Sequence, residues 1–224
     1  VFHECALCGY PPIETPDINK IDYAALDYLF NQVCTLAKEN KIYIAIGMIR
    51  QENLKKYNSI RLISPEGTLI GDYDKRAQWG WDLNHFTKGT SLGIYDIDGI
   101  KVGFRICFEV RFPEYFRELF EEKAELCFVS FSDVSEQDSL ERYNIIKSHL
   151  LTRAVENVMT VISVDSISNF QTAPTAVFDI NGHVVLEAPR NIEYLLVFDY
   201  QKPEIGYGAK GRIENSLNAI RKKS

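Results

Sequence analysis

Gly103-Phe-Arg-Ile-Cys-Phe-Glu-Val-Arg-Phe-Pro-Glu114 reads as an apolar strand that ends in one cysteine, followed by a helix whose first turn holds Pro113. The residues before it define the strand. Gly93 to Ile97 and Ile100 to Ile106 flank Asp98-Gly99, a hairpin signal because a type I′ turn needs positive φ at both central positions. Cys107 therefore ends a hairpin strand and enters a turn. A thiol released there is placed for nucleophilic attack, and the partial positive charge of a helix N-terminus favours its thiolate. A free cysteine taken alone equally suits an inert core position, so other residues must decide.

Outward from this segment, Asp22 to Asn40 carries Leu26, Leu29, Phe30, Val33, Leu36 and Ala37 at helical spacing. Ile42 to Arg50 and Ser59 to Ser64 predict strands, and Pro65-Glu-Gly-Thr68 predicts a turn into a third strand at Leu69 to Tyr73. The helix opened by Pro113 is expected to reach Glu122, with a strand at Leu126 to Phe131. A helix follows from Ser139 to Val155 and a strand from Met159 to Val164. Ala176 to Ile180 pairs across Asn181-Gly182 with Val184 to Glu187, and Tyr194 to Asp199 is expected to close the pattern as a strand. Helices recur between strands, yet tight hairpins join several strand pairs. That excludes an all-parallel sheet and predicts an α/β (α+β) class with mixed sheets covered by helices.

The chain has 224 residues and 46% hydrophobic content, enough for a sizeable core. A formal net charge of −6 argues against a nucleic-acid partner, and the basic cluster Arg221-Lys-Lys223 is confined to the tail. No apolar run approaches the length of a membrane span, and nothing at the start resembles a signal peptide. The five cysteines are Cys5, Cys8, Cys34, Cys107 and Cys127. Cys5-x-x-Cys8 has metal or redox spacing, but no second Cys/His pair follows at zinc-ligand spacing, so no metal is expected. Reduced thiols in a cytoplasmic protein fit better. Val1-Phe2 reads as the end of a strand already under way, so residues upstream are expected to be absent from this sequence.

A cysteine that attacks an amide needs a base, donors for the oxyanion and an acyl pocket. Glu4 follows an apolar strand end in Phe2-His-Glu-Cys-Ala-Leu-Cys-Gly-Tyr-Pro-Pro12, and Lys75 follows another in Gly71-Asp-Tyr-Asp-Lys75. Each, taken singly, suits a solvated surface charge. Strand ends at one sheet edge also converge on clefts.

These words together resemble the nitrilase superfamily, the carbon–nitrogen hydrolases. Phe2 to Tyr10 looks like that family's glutamate segment and Tyr73-Asp-Lys75 like its lysine segment. Ile106-Cys-Phe-Glu-Val-Arg-Phe-Pro-Glu114 is similar to its cysteine segment, and Arg153-Ala-Val-Glu-Asn157 to a helix end. The resemblance, nearest to the amidase and Nit-like branch, implies a single domain over 1–224 built as a four-layer α-β-β-α sandwich of two mixed sheets, here without its first strand and helix. It implies Cys107 as nucleophile, Glu4 as general base, and Lys75 with the backbone N–H of Phe108 as oxyanion donors. It also implies pairing into a homodimer or higher homo-oligomer, and no cofactor.

The chain departs from the family pattern in places. Asp82 stands where the family often has a second glutamate, and Thr172-Ala-Pro174 replaces a Gly-Gly-Ser element. Trp79 and Trp81 either wall the acyl pocket or pin a loop or interface. Arg111 either anchors a substrate carboxylate or holds the turn through backbone carbonyls. Asp133 is either a contact for a substrate ammonium or a solvated loop residue. The expected reaction is hydrolysis of a small non-peptide amide, the ω-amide of a dicarboxylic acid included, with release of ammonia. The alternatives are an N-carbamoyl amine or amino acid as substrate, transfer of the acyl group to an amine, and a catalytically silent dimeric binding module.

Overall fold

A computed structural model describes residues 1–167 and 170–221; Lys222 and Lys223 of the basic cluster thus fall outside the described residues. In chain order the elements are α1 (Tyr23–Asn40), β1 (Ile44–Glu52), β2 (Lys55–Ile63), β3 (Leu69–Asp74), α2 (Asp82–His85), β4 (Ile94–Ile97), β5 (Ile100–Ile106) and α3 (Pro113–Glu121). They continue with β6 (Leu126–Phe131), β7 (Val134–Ser135), α4 (Leu140–Asn157), β8 (Thr160–Asp165), β9 (Phe170–Gln171), β10 (Ala176–Phe178), β11 (Val184–Glu187) and α5 (Tyr207–Arg221).

Connection length decides the pairing. Two residues join β1 to β2 and a short turn joins β2 to β3, so these strands form an antiparallel sheet in the order β1-β2-β3. The larger sheet runs β11-β10-β8-β6-β5-β4. Its centre is parallel, because α3 carries the chain from β5 to β6 and α4 carries it from β6 to β8. Hairpins make both of its edges antiparallel. Asp98 and Gly99 adopt φ of 52° and 83°, as the turn between β4 and β5 requires.

Strand alternation sorts the side chains into three apolar seams. Ile44, Ile46 and Met48 of β1 pack on Leu26, Phe30 and Ala37 of α1. Ala45, Ile60, Leu62 and Tyr73 face the opposite way and meet Val102, Phe104, Ile106, Leu126 and Ile162 between the sheets. Cys127, Val129, Phe131 and Val161 line the far face of the larger sheet and pack on α3 and α4. The layers are therefore helix, sheet, sheet, helix. Asp22 caps α1 by accepting a 3.0 Å hydrogen bond from Ala25 N, which accounts for the start expected there. Among the described residues, no helix is long and apolar enough to cross a membrane.

One expected strand does not form. Residues 194–199 have alternating side chains, with Leu196 and Phe198 packed on the seam between the sheets, as is Tyr200 just beyond, and Leu195 and Val197 exposed. The segment makes no backbone–backbone hydrogen bond among the described residues, since no strand lies alongside to supply the partner groups. Period-two hydrophobicity reports on two-sided burial, whereas strand identity also needs a neighbour.

The first residues are held against β1. Phe2 N donates to Ala45 O at 2.9 Å, and Leu7 N donates to Gly47 O at 3.0 Å. Gly47 leaves room for this approach: a Cβ there would overlap the His3 carbonyl oxygen and come within 2.6 Å of Cys5 N. Gly47→Ala is expected to lower stability by about 1–3 kcal/mol, because backbone rather than a side-chain tip must move. Urea denaturation measures it, and an unchanged midpoint would refute this account of the contact.

Candidate active site

Glu4, Lys75 and Cys107 are delivered by different elements. Glu4 sits in the turn after the segment docked on β1, Lys75 directly follows β3, and Cys107 directly follows β5. The Glu4 carboxylate is buried and joins the two sheets. Its Oε1 accepts from Asn58 Nδ2 of β2 at 2.7 Å and from Lys75 Nζ at 2.8 Å. Its Oε2 accepts from Ser132 N, just after β6, at 3.0 Å.

Lys75 is equally buried and lies between two carboxylates, since Asp82 Oδ2 also accepts from Nζ at 2.8 Å. Asp82 opens α2, and Tyr10 donates to its other oxygen at 2.7 Å. The shorter side chain thus reaches Lys75 from a helix start. Burial favours a neutral lysine, but Glu4 first, then Cys107 and Asp82, hold the pKa well above its ordinary value. Lys75 is therefore a cation at neutral pH.

Cys107 is half-buried and adopts φ of 45°, a left-handed conformation that is uncommon for a side chain with a Cβ. Its thiol differs from the expected ready-made thiolate. Burial pushes the pKa well above its ordinary value of 9.0 and the nearby Glu4 charge adds to this, while Lys75 opposes it. The helix that follows is a short 3₁₀ turn over Cys107–Arg111, too short to supply much dipole. The thiol therefore rests protonated, and any nucleophilic use of it would need a base to take its proton.

The sequence does not mark Glu109 as a site residue, because its role depends on contacts remote in sequence. Its Oε2 accepts from Tyr73 OH and from Ile106 N, each at 2.7 Å. Its Oε1 accepts from Arg76 N at 2.7 Å and from Ala77 N at 3.3 Å. One buried carboxylate thus clamps the cysteine turn to the chain just past Lys75. The only local hint was an acidic residue two positions after the cysteine.

The remaining candidates divide. Phe108 is the second residue of the 3₁₀ turn, where a backbone N–H has no partner within the helix, and its ring stacks on the exposed Trp79 at 6.5 Å. Trp81 instead stacks on His85 at 3.7 Å and pins its own loop. The Arg111 side chain makes no hydrogen bond among the described residues and contributes, after burial and Arg153, to a lowered His149 pKa on α4. The carbonyl-holding role falls to Arg153, whose Nε donates to Val110 O at 3.0 Å. Asp133 is buried rather than solvated. Thr172 Oγ1 donates to it at 2.6 Å, and Arg142 grips both its oxygens at 2.9 and 3.0 Å. The Arg142 side chain is 51% exposed, and its raised pKa, due first to the Asp133 bond, has a Cys107 contribution. Cys5, next to Glu4, is fully buried and its thiol donates to Asn58 Oδ1 at 3.7 Å, so it faces the core rather than a substrate. Among the described residues, no group of three or more His, Cys, Asp or Glu side chains is placed to hold a metal.

The raised Cys107 pKa sets an expectation for alkylation. The rate at Cys107, followed by peptide mass, should keep rising with pH through 9.0 with no plateau near neutrality, because the thiolate fraction grows only above the shifted pKa. A plateau below pH 8 would overturn the protonated resting state.

The carbon-nitrogen hydrolase family model matches residues 1–207. A 2-oxoglutaramate amidase from Bacillus subtilis (strain 168) is 30% identical over 124 residues, which are 54% of this chain and 46% of that protein. An omega-amidase from Homo sapiens is 32% identical over 89 residues, 35% of this chain and 32% of that protein. The chain spans about a third to a half of the length of these relatives. An amidase structure from Nesterenkonia sp., with the acetamide moiety of fluoroacetamide on its active-site cysteine, superposes with a TM-score of 0.73 at 17% identity. The superposition covers 84% of this chain and 71% of that one, and it shows a shared fold.

Proposed function

Since this chain belongs to the carbon-nitrogen hydrolase family, we propose that it cleaves the C–N bond of a small non-peptide amide through a thioester on Cys107, releasing ammonia. The observation that carries this reading is the meeting of a buried carboxylate in a turn with a buried lysine cation and a half-buried cysteine that directly follow strands of two different sheets. A carboxylate offers about four acceptor positions. Asn58, Lys75 and Ser132 occupy three on Glu4, which leaves one on Oε2 for a proton.

In the proposed cycle, Cys107 Sγ attacks the carbonyl carbon while Glu4 accepts the thiol proton. The oxyanion is met by Lys75 and by the Phe108 N–H, both charged or dipolar before the reaction begins. The C–N bond then breaks, and the departing nitrogen leaves as ammonia with the proton from Glu4. A water gives its proton to Glu4 and attacks the thioester; the C–S bond breaks and the proton returns to sulfur. Asp82 and Tyr10 keep Lys75 charged and in place, and the cycle needs no cofactor.

For the substrate we favour the ω-amide of a dicarboxylic acid. The two relatives described above are named for ω-amide substrates, and Arg142 offers a suitable anchor. Asp133 holds its Nε and Nη2, while Nη1 makes no hydrogen bond among the described residues and is available to a carboxylate. We place the protein in the cytoplasm, where its five free cysteines are expected to persist. We also read it as a homodimer, since Ile192, Tyr194, Leu195 and Val197 expose a run of apolar side chains suited to a second copy. Sedimentation that stays monomeric at all concentrations would refute the dimer.

Ammonia release should be measured on ω-amides, neutral aliphatic amides, N-carbamoyl compounds and nitriles. Cys107→Ala is expected to abolish it in folded protein. Arg142→Gln keeps a donor for Asp133 and should raise KM for the ω-amide about 10- to 100-fold, as loss of one charge-assisted hydrogen bond predicts. Neutral amides should be little affected. Release from nothing in the panel would leave the silent binding module as the better reading.

A further inference from the structure

Cys5 and Cys8 are not used by the proposed reaction, yet they are built as a pair. Cys8 N and Gly9 N both donate to Cys5 O, at 3.1 and 2.8 Å, closing a single turn around the two cysteines. A turn closed in this way holds the first and fourth Cα atoms within about 7 Å, the range a disulfide can span. The two sulfurs sit in different surroundings. Cys8 is half-buried, its Sγ accepts from Ile49 N at 3.3 Å and lies 3.8 Å from Cys5 O. Cys5 is fully buried, and its Sγ donates to Asn58 Oδ1 at 3.7 Å.

We propose that Cys5 and Cys8 are a reversible oxidation site, in which hydrogen peroxide converts the two thiols to a disulfide and thereby loosens the support of Glu4. Cys8 is the attacking sulfur. Its pKa is lowered by the Cys5 thiol and then by the Ile49 N–H, whereas burial raises Cys5 and holds it as a thiol. Cys34 and Cys127 are also raised, Cys127 to about 12 by burial. Cys8 sulfur attacks one peroxide oxygen, the O–O bond breaks, and one water leaves a sulfenic acid on Cys8. Cys5 sulfur then attacks the Cys8 sulfur, the S–O bond breaks, a second water leaves and the S–S bond forms. The two sulfurs together give up two electrons and the peroxide is reduced to two waters.

The route to Glu4 is short. Asn58 takes a hydrogen bond from Cys5 on Oδ1 and gives one to Glu4 Oε1 from Nδ2 at 2.7 Å. A disulfide removes the thiol hydrogen that Asn58 accepts and draws the Cys5 sulfur toward Cys8. Asn58 is then left with a buried, unpaired acceptor, and its best relief is to turn away from Glu4. The effect on turnover rests on the amidase reading; formation of the disulfide does not.

The test is to treat the folded chain with hydrogen peroxide, block remaining thiols under denaturing conditions, and weigh the tryptic peptide that ends at Lys20. The expected peptide carries no blocking group and is lighter than the reduced one by two hydrogens. Dithiothreitol should restore it, and it should form equally in Cys107→Ala but not in Cys8→Ser. Blocking groups on both Cys5 and Cys8 after peroxide, or their pairing with other cysteines, would overturn the site. Ammonia release that falls several-fold on oxidation and recovers with dithiothreitol in wild type, but not in Cys8→Ser, is the expected coupling. Disulfide formation with unchanged release would overturn the link to Glu4. Absence of release before any oxidation would count against the amidase reading alone, since the peptide mass still decides the disulfide.

Discussion

The buried Glu4–Lys75 pair is the interaction on which the rest of this site depends. Either charge alone would be costly at that depth, and breaking such a pair typically costs about 3–5 kcal/mol. Here it is retained because further hydrogen bonds satisfy both partners: Asn58 and Ser132 on the carboxylate, Asp82 on the ammonium. The donors come from different layers. Asn58 lies in the smaller sheet and Lys75 directly follows its last strand, while Ser132 follows a central strand of the larger sheet. The apolar seam between the sheets is non-directional, so it brings the layers together without setting their register. The Glu4 carboxylate, whose bonds have direction, sets it at the end where the site lies.

Glu109 repeats the arrangement on the other side of the cysteine. Its four hydrogen bonds tie Ile106 at the end of β5 to Tyr73, Arg76 and Ala77 at the end of β3. The left-handed backbone at Cys107 is strained for a residue with a Cβ and persists only where its flanks are held. The clamp on one side and the Arg153 bond to Val110 on the other do this. The thiol is thereby kept at one angle, still protonated, within the electrostatic reach of Glu4. Two buried carboxylates are thus used differently: Glu4 is met by three donors among the described residues, while Glu109 is met by four, three of them backbone N–H groups.

Much of the architecture was legible in order of sequence. Asp98-Gly99 announced the β4–β5 hairpin, the stripe from Leu26 to Ala37 announced α1, and Pro113 announced α3, because each signal is local and backed by a single dominant steric or burial term. The closing strand expected at 194–199 misled for the complementary reason: its alternation is real and its side chains do pack, but pairing needs a neighbour that local pattern cannot report. The acidity of Cys107 was also beyond reach, since the position past a strand end suggested a thiolate and only the depth of the site, with Glu4 close by, reverses the sign.

By itself the sequence determined the two-sided strands, the helices between them, and the residue types capable of amide chemistry at Glu4, Lys75 and Cys107, since these follow from periodicity and from motifs within a few neighbours. Tertiary structure alone decided which charges meet. Asp82 reaches Lys75, Asp133 is sealed by Arg142 and Thr172, and Asn58 links Cys5 to Glu4. Those outcomes depend on directional bonds between residues far apart in the chain. Such bonds exist only once packed layers have excluded water and lowered the local dielectric, so no local reading of the sequence contains them.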